Sequence, residues 1–233
     1  MIYKIFHSIV FSLSVFIISC ELDWPSTTKT VTDIDGNVYE IVTIGNQVWM
    51  AEDLKVTKYR NGDAIPNVTN DAEWTNLSTG AYCSYDNADS NITTYGLLYN
   101  WFTVNDNRNL APAGWHIPTD EEWKQLEMYL GMSQTEVDNT GHNRTRVGHM
   151  LKSTNGWNYN ENGTNSSGFT ALPGGYRLLD GSFITIGNRA YFWSSTETAG
   201  TYAWSRDLSY SHKTVGYIRA NWLNGLSVRC IKD

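Results

Sequence analysis

Gly114-Trp115-His116-Ile117-Pro118-Thr119-Asp120-Glu121-Glu122-Trp123-Lys124-Gln125-Leu126 is the stretch whose reading decides the fold. Thr119 is a good helix N-cap, and Glu122, three residues on, completes a capping box. Asp120, Glu121 and Glu122 put negative charge on the first turn, where the helix dipole favours it. Trp123, Leu126 and Leu130 follow at helical spacing, and Gly131 suits the C′ position. The spacing predicts one main helix over about 119–130, its Trp/Leu face packed on a sheet.

Outward from that helix the chain reads as strand, turn and loop. Upstream, residues 31–33 lead into the Asp35-Gly36 turn, 38–43 alternate as a strand does, and Gly45-Asn46 turns the chain into a third strand at 47–50. Residues 58–95 are rich in turn formers. The aromatic run 95–102 fits strand or helix, with a short helix at 97–104 preferred for packing beside the main one. Downstream, Val147, Met150 and Leu151 suggest a short helix. Core strands are expected at 191–196, 202–208, 214–218 and 225–231, with a hairpin turn at Asp180-Gly181.

Composition narrows the class. Of 233 residues, 18% are charged and 13% aromatic, with 10 Trp and 14 Tyr. This is the profile of an exported, loop-rich domain. The net charge of −7 argues against a nucleic-acid partner. Lys4 precedes an apolar run, 5–18, too short for a comfortable span and ending in Ile17-Ile18-Ser19-Cys20. That ending resembles a bacterial lipobox. Residues 1–20 are therefore expected to be a lipoprotein signal peptide, Cys20 the lipidated residue, 21–31 a tether and 32–233 one domain. The expected address is the cell envelope, lipid-anchored to the outer membrane, with the cell surface as one possible face. In an exported protein the remaining Cys83 and Cys230 are most simply a disulfide, the alternative being two separate buried thiols.

Ordered blocks along the chain carry a family resemblance. They are Asp33-Ile34-Asp35-Gly36-Asn37-Val38-Tyr39, then Ile44-Gly45-Asn46-Gln47-Val48-Trp49-Met50-Ala51-Glu52-Asp53-Leu54, then Tyr95-Gly96-Leu97-Leu98-Tyr99-Asn100-Trp101. Next come Ala111-Pro112-Ala113-Gly114-Trp115-His116-Ile117-Pro118-Thr119, Ser167-Gly168-Phe169 and Leu172-Pro173-Gly174-Gly175-Tyr176-Arg177. Phe192-Trp193-Ser194-Ser195-Thr196 and Gly225-Leu226-Ser227-Val228-Arg229-Cys230 complete the set. The chain from about residue 32 onward resembles the Fibrobacter succinogenes major paralogous domain, by the order of those blocks. Asp53 stands where the family usually has Asn, and Ala111 where some members carry a further Cys. The resemblance implies an α+β, C-type-lectin-like fold: a twisted antiparallel sheet with one main helix, a few short helices, long loops and terminal strands lying close together.

Candidate sites compete with plainer readings. Asp33, Asp35 and Asn37 alternate as calcium ligands can, but Gly36 falls too early for an EF-hand loop and no Glu closes it, so a hairpin turn is preferred. His116, His142, His149 and His212 are scattered without metal-ligand spacing. No metal, cofactor or catalytic constellation is expected; Ser194 and Ser195 lack a nucleophile-elbow setting. Aromatics are the remaining lead, since rigid rings flanked by Asn and Asp make platforms for sugars or peptides. Trp74, Tyr85, Trp157, Tyr159, Trp204 and Trp222 are the candidates.

The expectation is thus a lipid-anchored, non-enzymatic, lectin-like domain that binds carbohydrate or protein. A structural or accessory subunit of an outer-membrane or fibre assembly is the alternative. An enzyme akin to the formylglycine-generating enzymes, to which the resemblance also points distantly, is the least favoured. Cys20→Ala is expected to move the protein from the membrane fraction to the soluble one; retention in membranes would contradict the lipidation reading.

Overall fold

The computed structural model describes residues 29–233. The expected signal peptide 1–20, Cys20 itself and most of the tether 21–31 lie outside the described residues. The chain opens with a meander of β1 (Thr30–Thr32), β2 (Val38–Ile44) and β3 (Gln47–Met50). Its turns fall at Asp35-Gly36 and Gly45-Asn46, and both glycines have positive φ, +85° and +64°. Then follow α1 (Asp71–Thr75), β4 (Tyr82–Cys83), α2 (Ile92–Tyr95), β5 (Leu98–Tyr99), α3 (Trp101–Val104) and β6 (Trp115–His116). The main helix, α4, is Asp120–Tyr129, and the short α5 (Gln134–Asp138) and α6 (Gly148–Leu151) come after it. The rest is strand: β7 (Tyr176–Arg177), β8 (Phe183–Ile184), β9 (Arg189–Glu197), β10 (Tyr202–Ser209), β11 (Val215–Asn221) and β12 (Ile231–Lys232).

One antiparallel sheet has the order β1-β2-β3-β12-β6, a second β11-β10-β9, and two ribbons pair β4 with β5 and β7 with β8. The result is a mixed fold dominated by antiparallel strands, with few and short helices. Strand β12 sits between β3 and β6, so the last strand shares a sheet with the first described ones.

Two expectations are corrected. Residues 97–104 are not one helix. Leu98 and Tyr99 pair with Cys83 and Tyr82, and Asn100, in extended conformation, caps a helix that starts only at Trp101. The Asn100 side chain accepts from Thr103 N and Ala81 N, both at 3.1 Å. Nor is 225–231 one strand. Gly225 bridges Arg177, Leu226 bridges Tyr99, and Ser227 bridges Phe192. This segment threads between elements and meets a different partner at each residue.

Helix α4 has its capping box: Thr119 Oγ1 accepts from Glu122 N, and Glu122 Oε2 accepts from Thr119 N at 2.8 Å. The other Glu122 oxygen meets His116 Nε2 at 2.8 Å, and His116 Nδ1 meets Asp233 Oδ1 at 2.7 Å. Half-burial works to lower the His116 pKa, but its two carboxylate partners outweigh it and the net shift is upward. Trp123 packs on Trp49 at 4.9 Å and donates its indole N–H to Trp193 O at 3.3 Å. The acidic residues are not all caps. Asp120 and Glu127 are buried beside Trp123. Arg206 of β10 reaches both, Nε to Glu127 Oε1 at 2.6 Å and Nη1 to Asp120 Oδ1 at 2.9 Å. Arg144 holds the second Glu127 oxygen, and Tyr217 O–H donates to Asp120 Oδ2 at 2.8 Å. The helix is therefore clamped to β10 and β11 by charge as well as by apolar contact.

Cys83 and Cys230 are both free, buried thiols, so the expected disulfide is corrected. The β4–β5 ribbon explains it. Adjacent strand residues face opposite ways. Cys83 and its partner Leu98 face a cluster with Val68 and Trp74. Tyr82 and Tyr99 face the other side, where Cys230 lies among Tyr39, Tyr99 and Trp193. Burial pushes the Cys83 thiol up to about 12 and Cys230 up as well.

Glu127→Gln leaves two buried guanidinium groups short of a counter-charge and is expected to cost about 3–5 kcal/mol in chemical denaturation. Exposed Glu121→Gln should stay within about 0.5 kcal/mol; equal effects would contradict the clamp. The raised His116 pKa also has a pH signature. Its contribution is complete below the unfolded histidine value of about 6.5 and is lost as pH rises through the higher folded value. Wild type should thus lose stability relative to His116→Gln as pH is raised from about 6 to about 9. A pH-independent difference would contradict this.

Candidate functional site

The six candidate aromatics divide by burial. Trp74 is 0% exposed, Tyr85 5% and Trp157 4%, so these three are core residues and not platforms. Their polar atoms explain how loop aromatics come to be buried. Trp74 donates its indole N–H to Leu223 O at 2.8 Å and lies 4.4 Å under the Arg177 guanidinium. Trp157 donates to Ser153 Oγ at 3.1 Å and Ala171 O at 3.2 Å. Tyr85 packs on Phe183 at 5.3 Å. Tyr159, by contrast, is 79% exposed. Trp204 and Trp222 are half-buried.

Trp222 lies in a cluster of rings. Its ring stacks on Trp101, with centroids 5.1 Å apart and planes 15° from parallel, and meets Phe102 edge-on at 5.8 Å. Backbone bonds fix it: Trp101 N donates to Trp222 O and Trp222 N to Thr201 O, both at 2.9 Å. Asn100, by capping α3, sets Trp101 and Phe102 on the first turn, so one indole faces the core and the phenyl ring stays half-exposed. These rings line a hollow of about 420 Å³. Its polar wall is the 105–108 loop with Ser78 and Thr79. The Trp222 indole N–H has no hydrogen-bond partner.

The loop is preset by its own charges. Arg108 lies 4.0 Å over the Tyr59 ring and pairs with Asp106 at 2.7 Å and Asp63 at 3.2 Å. The Arg108 hydrogen bond holds the Asp106 carboxyl below the usual range. A carboxylate so engaged is poorly placed to exchange protons with a substrate. The arrangement offers ring faces and the Asn105 and Asn107 side-chain amides, which suits binding.

Trp204 packs on Tyr217, centroids 4.2 Å apart and planes tilted by 39°, beside a hollow of about 510 Å³ that also includes Thr198 and Arg219. Trp222 and Trp204 both sit toward the Tyr202–Asn221 end of the β10–β11 pair.

The Asp33-Asp35-Asn37 cluster is a hairpin turn. Asp33 accepts from Asp35 N, Asn37 N and Asn37 Nδ2, each at 2.9 Å, and from Tyr39 O–H at 2.6 Å. Among the described residues no group of three or more His, Cys, Asp or Glu side chains is arranged to hold a metal ion. Sequence reasoning missed Trp101, Phe102 and the Asn105-Asp106-Asn107-Arg108 wall. The signal available was a dense polar loop directly after an aromatic helix start, which passes for an ordinary connection.

The family model of the Fibrobacter succinogenes major domain matches residues 42–232. No curated protein and no solved structure matches the chain.

Proposed function

The chain belongs to the Fibrobacter succinogenes major domain family, and on that premise we propose that it is a lipid-anchored, non-enzymatic binding domain of the cell envelope. The scaffold is C-type-lectin-like. Terminal strands sharing one sheet and long loops between short elements support that reading. Its ligand is a saccharide, taken up in the hollow beside Trp222.

The observation that carries this reading is the Trp222 indole. It is half-exposed, stacked on Trp101 and edged by Phe102, and it lines the hollow. The ring face offers area for the apolar face of a sugar at little cost in side-chain entropy. Asn105, Asn107 and Thr79 supply hydroxyl partners around it.

Isothermal titration with neutral oligosaccharides tests the proposal. Trp222→Ala is expected to weaken binding at least about tenfold, since central aromatic anchors dominate such sites. Trp222→Phe, which keeps a smaller aromatic face, should fall between. Trp204→Ala tests the neighbouring hollow and should leave this affinity unchanged. If wild type binds no saccharide at millimolar concentration while a protein partner is recovered with it, the accessory-subunit reading replaces this one.

A further inference from the structure

The turn between β10 and β11, residues 210–214, faces the loop 139–147 across a hollow of about 490 Å³. That loop is pinned to β11 by paired backbone bonds between Gly141 and Tyr217, 2.7 and 3.0 Å long. Arg146, Lys213, His142 and His212 line the hollow together with Asn143, Ser211 and Thr214. Every ionisable group on its wall is a cation or becomes one on protonation, in a chain whose net charge is −7.

A buried carboxylate stands behind this wall. Asp207 is fully enclosed; its Oδ2 accepts from Arg189 Nη1 at 3.1 Å. Its Oδ1 makes no hydrogen bond and faces His142 Nδ1 at 3.5 Å. The approach needs a glycine in β11: a Cβ on Gly216 would collide with both Asp207 Oδ1 and the His142 ring. Asp207 thus stands against the Nδ1 edge of the His142 ring, and that ring lines the hollow. His212 lies beyond, its ring 6.2 Å from that of His142.

An aromatic face flanks the same turn. Tyr159 is 79% exposed, with its ring 5.2 Å from that of Tyr210. Its backbone is left-handed, at φ +58°, a conformation that costs a bulky residue and persists only when its surroundings hold it. They do: Lys152 Nζ donates to Glu161 O at 2.7 Å and Ser209 O at 3.2 Å, which fastens the Tyr159 loop to the end of β10.

We propose that this hollow binds the sulfate or carboxylate group of an acidic saccharide. Arg146 and Lys213 are the counter-charges, His142 and His212 present their ring nitrogens beside them, and the Tyr159–Tyr210 pair is the face on which a sugar ring stacks. The site is separate from the Trp222 hollow and does not rest on it.

Electrophoresis of the full chain through gels containing dextran sulfate, polygalacturonate or neutral dextran tests it. Wild type should be retarded by the two acidic polymers and not by dextran. The Arg146→Ala/Lys213→Ala double variant should lose about tenfold in affinity, the scale of removing charge-assisted hydrogen bonds. A Lys29→Ala/Lys232→Ala control removes the same formal charge elsewhere and should behave as wild type, as should Trp222→Ala. Tyr159→Ala should weaken retention by polygalacturonate. Equal retardation of the double variant and wild type would overturn the proposal, as would no retardation of wild type by either acidic polymer. So would retardation by a gel containing polyphosphate when neither acidic saccharide retards the chain, since that marks a phosphate site.

Discussion

Buried guanidinium groups are the constraint on which the rest of the molecule depends. With so few regular residues, the chain cannot hold its loops by ladder hydrogen bonds alone. Arg177, Arg206 and Arg229 are each enclosed, and each ties together segments far apart in sequence. Arg177 donates to Val68 O at 2.6 Å, Thr69 O at 3.1 Å and Gly181 O at 2.8 Å, and pairs with Asp71 at 2.7 Å. Arg229 pairs with Asp53 and donates to the carbonyls of Phe169 and Thr170. Arg206 clamps the main helix to the three-stranded sheet. A planar fork of donors can satisfy several loop carbonyls at once, which a lysine cannot. Burying such a charge is costly unless it is paired, and each has its carboxylate. Asp53 supplies the counter-charge for Arg229.

This way of building a core frees the surface for binding. Loops whose carbonyls are held from inside can show their side chains outward without losing their shape. The 105–109 loop is one case: Arg108 fixes it through Tyr59, Asp63 and Asp106, and its Asn105 and Asn107 side chains line the hollow beside Trp222. The 157–162 loop is another, held through Lys152 while Tyr159 projects into solvent. Preorganised loops of this kind lose little entropy when a ligand arrives.

The main helix, the opening meander and the central strands were legible in the sequence because local signals decide them. Thr119 and Glu122 cap whatever the tertiary context, and Asp35-Gly36 turns regardless of neighbours. Two kinds of feature were not. One is where a short strand ends and a helix starts at Asn100, which depends on β4 arriving to pair with Leu98. The other is which aromatics are buried. Trp74 and Trp222 look alike in sequence, each among polar residues. Only the placing of Leu223 O and Arg177 makes one a core residue, and only the stacking on Trp101 makes the other a platform. Asp120 and Glu127 were hidden for the same reason: their partners on β10 and in the 139–147 loop are distant in sequence. The cysteines misled because compartment and pairing number say nothing about which face of a ribbon each thiol occupies.

The central claim is that a held scaffold presents Trp222 as a ligand platform while most other indoles are structural. The most direct measurement is the set of indole N–H resonances in a nitrogen–proton correlation spectrum during titration with a neutral oligosaccharide. The account predicts that the Nε1–H signal of Trp222, whose ring lines the hollow, shifts most, accompanied by that of Trp101. The Trp49, Trp123 and Trp193 signals should hold still. Shifts at those core indoles with none at Trp222 would contradict it.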